Sequence, residues 1–212
     1  MIDLYTWHTP NGRKVSIMLE EIGMDYNVFP INIAKDEQFQ PHFLEISPNN
    51  RIPAIIDKDN DNYSLFESGA ILMYLAEKSG MLMNKSNADE YYRTIEWLMW
   101  QMGGVGPMFG QVHHFVKYNK GKSAYSEERY SKEARRLYGV MDKRLSENQY
   151  IAGKEYSIAD ISIWPWTARF DWQEIDLNEF PNVARWYKEM IDRPAVQKGW
   201  LVPQNDQLIP SP

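Results

Sequence analysis

Over residues 1–80, short apolar runs alternate with segments whose apolar positions recur at helical spacing. Strands are predicted at IDLYTW, at YNVFPINI, after Pro53 and at YSLF, and DKDNDN between the last two is typical of a hairpin turn. Helices are predicted at NGRKVSIMLEEIG, in short form over residues 38–46, and at GAILMYLAEK. The predicted order is βαβαββα, and the crossover between the first two strands predicts that they run parallel, with a right-handed connection.

From residue 88 onward the pattern is almost entirely helical. A long helical pattern over residues 88–117 is interrupted by GGVGP at 103–107, which we expect to kink or break it. An amphipathic helix is predicted over residues 125–146, and Ser157 and Asp160 form a capping box that begins another. The change of pattern predicts two domains, an α/β domain at residues 1–80 and an all-helical domain at residues 88–212.

Composition narrows the classes of function. The 212 residues carry a net charge of −6, from 23 Lys and Arg against 29 Asp and Glu, and no basic run occurs, which disfavours nucleic acid as a partner. There is no apolar run near the roughly 18 residues of a membrane span and no basic start followed by an apolar stretch. With no cysteine either, we expect a cytoplasmic enzyme or binding protein without a membrane partner.

The segment Asn50–Ala70 holds the first candidate site. Proline is tolerated at the first residue of a strand, so Pro53 suits the start of the third strand. Glu67 and Ser68 come after the fourth strand, where the next helix begins. A carboxylate, a hydroxyl and free backbone N–H groups therefore meet at one helix N-terminus, which favours binding of a ligand's carboxylate.

A βαβαββα unit with a proline ahead of its third strand has the thioredoxin topology. In that topology the N-terminus of the first helix carries the redox chemistry. Here the corresponding segment is His8-Thr9-Pro10-Asn11-Gly12, and the chain has no cysteine. If thiol chemistry occurs, the reacting sulfur must arrive with a ligand, which indicates a thiol tripeptide.

The whole chain resembles the glutathione transferase superfamily. The runs TPNGRKVSIMLEE, ISPNNRIPAIID, SLFESGAILMYLAEK, WQMGGVGPMFGQVHHF, ERY and YSIADI resemble the nu class, whose bacterial members are glutathione-dependent disulfide-bond oxidoreductases. The resemblance implies the glutathione transferase fold: a thioredoxin-like, glutathione-binding α/β domain followed by an all-α domain. It also implies a homodimer that uses glutathione and no metal.

The same resemblance assigns roles to individual residues. It places Thr9 and Asn11 beside the glutathione sulfur as the catalytic residues, and Gln38 along the tripeptide. Ile52 would hold the cysteinyl backbone through its own N–H and C=O groups, with a cis peptide bond to Pro53. The remaining implied contacts are Glu67 and Ser68 at the γ-glutamyl end, Arg51 at a glutathione carboxylate, and Arg129, within its own subunit or across the dimer.

The expected reaction is reduction of small disulfides with two glutathione molecules or glutathione disulfide in the site. One alternative is conjugation of glutathione to an electrophile, which uses the same thiolate. Another is a non-catalytic, glutathione-binding regulator, because a yeast nitrogen regulator contains a related domain. The low-complexity segment that precedes the domain in those relatives is absent from this sequence, which disfavours the second alternative.

Structural interpretations of the same residues remain open. Thr9-Pro10-Asn11-Gly12 and Glu67-Ser68 are also typical helix caps, and Arg129 on a charged helix is typical of a solvated surface residue. Adjacent histidines lie on different faces of a helix and no third ligand is apparent, so His113 and His114 are not predicted to bind a metal. Pocket lining and a core position are both compatible with them.

Overall fold

The computed structural model describes all residues from Met1 to Pro212. The chain forms two compact units, one of residues Met1–Met83 and Ile191–Ile209 and one of residues Asn84–Met190 and Pro210–Pro212. The elements of the first unit are β1 (Ile2–Thr6), α1 (Pro10–Glu21), β2 (Tyr26–Pro30), α2 (Pro41–Leu44), β3 (Ala54–Asp57), β4 (Tyr63–Phe66) and α3 (Ser68–Ser79). This is the predicted βαβαββα order.

The four strands form one mixed sheet in the order β2-β1-β3-β4. Strand β1 pairs in parallel with β2, as predicted, and antiparallel with β3, while β3 and β4 form the hairpin. The central strand β1 is almost fully buried, whereas the edge strand β2 is mostly exposed. Strand β2 ends at Pro30, earlier than predicted, because the Asn32 side chain accepts from the Ala34 N–H (3.0 Å) and begins a 3₁₀ turn.

The last part of the chain returns to the first unit, which the sequence pattern does not predict. Helix α8 spans Pro181–Ile191, and helix α9 (Pro194–Trp200) packs against α1. The approach is close enough that a Cβ on Gly199 would lie 2.6 Å from the Ile17 Cα. The Ser16 hydroxyl donates to the Gly199 carbonyl (2.6 Å), and Arg193 forms a bidentate ion pair with Glu21. Helix α1 is therefore buried on nearly all sides.

The second unit is helical. Its remaining helices are α4 (Ala88–Trp100), α5 (Gly106–Val112), α6 (Ala124–Glu147) and α7 (Ile158–Thr167). The predicted capping box at α7 is confirmed, and the buried Asp160 carboxylate accepts from the Ile151 and Ser157 N–H groups and from the Trp186 indole. None of the helices is long and apolar enough to traverse a lipid bilayer.

Of the kink or break expected at GGVGP, the break is absent. The chain stays helical through this segment because α4 continues into a π-helical stretch, Gln101–Val105, before α5 begins. A π turn widens the helix and tolerates sequence that strains a regular α-helix, and such turns are frequent at functional sites. The Gly106 N–H donates to the Gln101 carbonyl, five residues back, immediately before Pro107. A second π-helical stretch follows at His113–Tyr118.

Candidate functional site

A cavity of about 240 Å³ lies in the first unit where α1 and α3 begin. Five of the residues that the sequence assigns to glutathione line it: Asn11, Arg51, Ile52, Glu67 and Ser68. Pro53 and Phe66 complete the lining. The start of α1, the loop before β3 and the start of α3 therefore converge on one concave surface, although they are far apart in the sequence.

Thr9 is the N-cap of α1. Its Oγ1 accepts from the Gly12 N–H at 3.2 Å, and Pro10 occupies the first helical turn, where its missing N–H costs nothing. Only glycine fits at position 12, because a Cβ there would lie 2.1 Å from the Trp7 carbonyl oxygen. No acidic residue lies in the first turn, so the positive end of the helix dipole is not offset there. Thr9 itself is not among the residues that line the cavity.

The loop before β3 presents the backbone of Ile52. The peptide bond between Ile52 and Pro53 is cis, as predicted. The strand ladder begins at Ala54, which pairs with Tyr5 and Phe66, so the Ile52 N–H and C=O groups lie outside it. The Ser47 hydroxyl donates to the Arg51 carbonyl (2.8 Å) and ties this loop to the segment before it.

Glu67 has an unusual backbone for a residue with a side chain, with φ 70° and ψ 113°. Such conformations cost about 1 to 3 kcal/mol and persist mainly where function requires them. Glu67 occupies the N-cap position of α3, but its exposed side chain makes no capping hydrogen bond. Simple capping therefore does not explain this residue, which lines the cavity.

Ser68 begins α3 and is buried, with 3% of its surface exposed. Its Oγ lies 3.2 Å from the Nζ of Lys14, a fully buried lysine on α1. Burial lowers the pKa of Lys14 to about 7, although the negative charge of Glu67 opposes this shift. The sequence analysis missed Lys14, because a lysine beside an apolar stripe is normally assigned to the solvent face of a helix.

Gln38 lies in a 3₁₀ turn, Glu37–Phe39, and is not among the residues that line the cavity. Its side chain is buried, and its Nε2 lies 3.5 Å from the Asp36 carboxylate. The Gln38 Oε1 is buried without a hydrogen-bond partner. A buried acceptor in that state costs about 1 to 3 kcal/mol.

Arg129 belongs to the second unit, where it lies exposed on α6. It lines a separate groove of about 620 Å³ together with residues of α5 and α6 that include Met108, Tyr125 and Tyr130. Arg129 does not line the cavity at Glu67.

His113 is a core residue. Its ring stacks on Trp166 and meets Trp172 edge-on, and its Nε2 lies 3.2 Å from the Gln173 amide nitrogen. His114 is exposed. No group of three or more His, Cys, Asp or Glu side chains is arranged to hold a metal ion.

This fold and cavity define a class of protein. Residues 1–77 match the family described as Glutathione S-transferase, N-terminal domain, and residues 104–194 match the corresponding C-terminal domain family. The chain therefore belongs to the glutathione S-transferase family, a family of enzymes.

Three proteins illustrate which members of the family this chain is similar to. The chain is 46% identical to the disulfide-bond oxidoreductase YfcG of Escherichia coli (strain K12), over 96% of each chain. A glutathione transferase family member from Pseudomonas fluorescens pf-5, solved with two glutathione molecules bound, is 46% identical, with a TM-score of 0.89 over 94% of this chain and 92% of that one. A glutathione transferase from Pseudomonas putida, solved with one glutathione disulfide per subunit, is 44% identical, with a TM-score of 0.89 over 95% of this chain and 91% of that one.

Proposed function

We propose that this protein is a glutathione-dependent disulfide-bond reductase that acts on small disulfides. The observation that carries the proposal is the convergence of two helix starts on one cavity in a chain without cysteine. The sulfur chemistry must then be supplied by a bound thiol. The names of the relatives support this choice, because one is a disulfide-bond oxidoreductase and the solved ones hold two glutathione molecules or glutathione disulfide.

The cavity residues supply partners for the charged ends and the cysteinyl backbone of the tripeptide. The Glu67 carboxylate pairs with the ammonium of the γ-glutamyl residue, while the Ser68 hydroxyl and the α3 N-terminus bind its carboxylate. Ile52 pairs with the cysteinyl backbone as a β-strand neighbour would. Arg51 binds the glycine carboxylate, and Gln38, which lies outside the lining of this cavity, lies along the tripeptide.

The start of α1 activates the thiol. Lowering a thiol pKa from about 8.5 by two units needs roughly 2.7 kcal/mol of differential stabilisation of the thiolate. A helix N-terminus supplies about 0.3 to 1 kcal/mol when exposed and ~2 kcal/mol when partly buried, which is not enough. A hydrogen bond from the Thr9 hydroxyl or the Asn11 amide adds about 1.5 to 3 kcal/mol. The Thr9 oxygen already accepts from Gly12, so its own hydrogen is directed elsewhere.

The reaction balances without any protein thiol. The first glutathione thiolate attacks one sulfur of the substrate disulfide, forms a glutathionyl mixed disulfide and releases one substrate thiolate, which takes up a proton. The second glutathione thiolate attacks the glutathionyl sulfur of that intermediate, so that glutathione disulfide forms and the other substrate thiol leaves. Two glutathione molecules are oxidised to one disulfide, and one substrate disulfide is reduced to two thiols.

The proposal includes the assembly and its setting. We assign glutathione binding to the predicted domain of residues 1–80, and place the enzyme in the cytoplasm as a homodimer in which Arg129 contributes to the site. Light scattering coupled to gel filtration tests the dimer. If an Arg129→Ala variant has an unchanged Michaelis constant for glutathione, Arg129 has no part in binding it.

Two parallel assays test the reaction. Reduction of hydroxyethyl disulfide is followed through NADPH and glutathione reductase, and conjugation of an aryl halide is followed by absorbance. We expect disulfide reduction to be much the faster reaction. Faster conjugation would instead identify the protein as a conjugating transferase. Absence of both activities, together with an increase in melting temperature on adding glutathione, would identify a non-catalytic, glutathione-binding regulator, and absence of the increase as well would overturn glutathione binding itself.

A further inference from the structure

Lys14 is placed directly behind the proposed γ-glutamyl site. It lies on α1, its side chain is fully buried, and its Nζ is 3.2 Å from the Oγ of Ser68, a residue that lines the cavity. Lysine is almost never fully buried unless a partner compensates its charge. Burial of an ammonium group lowers stability, so the presence of a lysine at this position needs an explanation.

The charged groups on the helices around Lys14 show which charge acts on its ammonium group. Helices α3 and α9 pack against α1, and of their charged groups it is Glu67, at the start of α3, whose charge acts on Lys14. Lys198 of α9 is exposed. Two other cations, Lys78 on α3 and Arg193 just before α9, have ion-pair partners of their own, Asp57 and Glu21 respectively.

An ammonium group donates hydrogen bonds and accepts none. Ser68 Oγ therefore accepts from charged Lys14, and the hydroxyl hydrogen of Ser68 is directed away from Nζ. A neutral amine accepts as well as donates, so it removes this constraint on Ser68. Because burial lowers the pKa of Lys14 to about 7, both states occur near neutral pH, and a ligand that favours one of them takes up or releases a proton.

We propose that Lys14 is a positioning residue for the γ-glutamyl carboxylate: its ammonium orients the Ser68 hydroxyl toward the cavity and provides the countercharge from beneath. This inference rests on the proposed function, since it requires glutathione in the cavity. Binding of the carboxylate favours the charged state of Lys14, so glutathione binding above neutral pH is coupled to uptake of a proton. Lys14 makes no contact with the reacting sulfur and acts only through Ser68 and the local charge.

Calorimetric titration with two thiol-blocked ligands tests the assignment. The first is S-methylglutathione, and the second is its analogue in which 4-aminobutyrate replaces the γ-glutamyl residue, so that only the α-carboxylate is missing. Blocking the thiol removes its ionisation from the proton balance. We expect Lys14→Met to weaken S-methylglutathione about tenfold, as the loss of one charge-assisted interaction predicts, and to leave the affinity for the analogue unchanged.

The matched control is Ser16→Ala. It removes another buried hydrogen bond of α1, to Gly199, and we expect it to leave the affinities for both ligands unchanged. Repeating the titrations at about pH 8 in buffers with different ionisation enthalpies gives the proton balance, because pH 8 lies above the pKa of Lys14. We expect a net uptake in the wild type that Lys14→Met abolishes.

The outcomes separate this inference from the proposed function. Equal weakening of both ligands by Lys14→Met would assign Lys14 a purely structural role, and so would an unchanged proton balance. Unchanged affinity for S-methylglutathione would exclude any role of Lys14 in binding. Failure of the wild type to bind S-methylglutathione or glutathione would instead overturn the proposed function, and the inference with it. Lys14→Gln, which keeps a polar group without the charge, serves as the second variant if Lys14→Met does not fold.

Discussion

The guanidinium group of Arg13 lies over the indole of Trp200, with its Cζ 3.4 Å from the ring centroid. Both side chains are almost completely buried. The Arg13 Nε donates to the Trp200 carbonyl (3.2 Å), its Nη2 donates to the Gln207 side chain (2.8 Å), and the Trp200 indole donates to the Gln207 carbonyl (2.8 Å). The helix that begins at the proposed thiolate site is thus joined to the C-terminal segment by one connected network.

Arg13→Lys should lower the free energy of unfolding by about 2 kcal/mol, because lysine can neither stack on the indole nor reach both acceptors with a planar fork. Chemical denaturation followed by tryptophan fluorescence measures the change. Gln207→Ala, which removes only the outer acceptor, should have a smaller effect. The exposed neighbour Lys198→Met should leave stability unchanged, and a comparable loss in that variant would show that the contact with Trp200 is not what matters.

Removing both proposed thiolate donors should slow the reaction and shift its pH dependence. In the Thr9→Ala, Asn11→Ala double variant we expect kcat/KM for hydroxyethyl disulfide to fall by about 10- to 100-fold, the loss of one charge-assisted hydrogen bond or more. The acidic limb of the pH profile should move to higher pH, because the bound thiol ionises less readily. Thr9→Ser keeps the hydroxyl and the helix cap and should keep its activity. An unchanged profile in the double variant would refute both roles.

The backbone of Glu67 allows stability and binding to be separated. Glu67→Gly relieves the strain at φ 70° and should raise the free energy of unfolding by about 1 kcal/mol, while Glu67→Gln leaves the strain in place. Both variants lose the carboxylate, so both should lower the affinity for glutathione by about 10- to 100-fold. Thermal unfolding and calorimetric titration give the two quantities. Glu45→Gln, at another exposed carboxylate of the same unit, should change neither, and tight binding by Glu67→Gln would contradict the proposed ammonium contact.

Features with a local cause could be predicted from the sequence. The order of the elements follows from the periodicity of apolar residues, and the capping box at Ser157 and Asp160 needs only residues three apart. Glu67 and Ser68 were singled out because a helix start has a fixed local meaning, whereas Arg51 and Ile52 before β3 came from the family resemblance; all four line the cavity. The parallel pairing of β1 and β2 followed from the crossover rule.

Features that depend on distant contacts could not be predicted. Gly199 and Arg193 return to α1 from the far end of the chain, and no local pattern marks that return. Lys14 was missed for the same reason, since α9 and α3 cover a helix that a one-sided stripe of apolar residues describes as half exposed. At GGVGP the predicted break does not occur, because a π turn accommodates the proline without ending the helix, and no local pattern marks such a turn.

His113 should make the stability of the second unit depend on pH. Burial first, and the positive charge of Arg169 second, lower the pKa of His113 to about 4, against about 6.5 in the unfolded chain. As the pH falls from about 6.5 to about 4, the unfolded chain takes up a proton that the folded one does not, so stability decreases with acidification. The difference corresponds to about 3 kcal/mol across that range.

Denaturation at a series of pH values tests this. His113→Phe retains a ring against Trp166 and should flatten the loss of stability between pH 6.5 and 4, whereas His114→Phe, at the exposed neighbour, should retain it. Asp160 contributes the opposite slope, because burial raises the pKa of its carboxyl to about 6 and its stabilising effect is lost as the pH rises from about 3.8 to that value. The contribution of Asp160 is the same in the wild type and in both variants. It therefore cancels when the free energy of unfolding of a variant is subtracted from that of the wild type at each pH. If the difference between the wild type and His113→Phe does not change with pH, His113 is not the residue that makes the folded protein sensitive to acid.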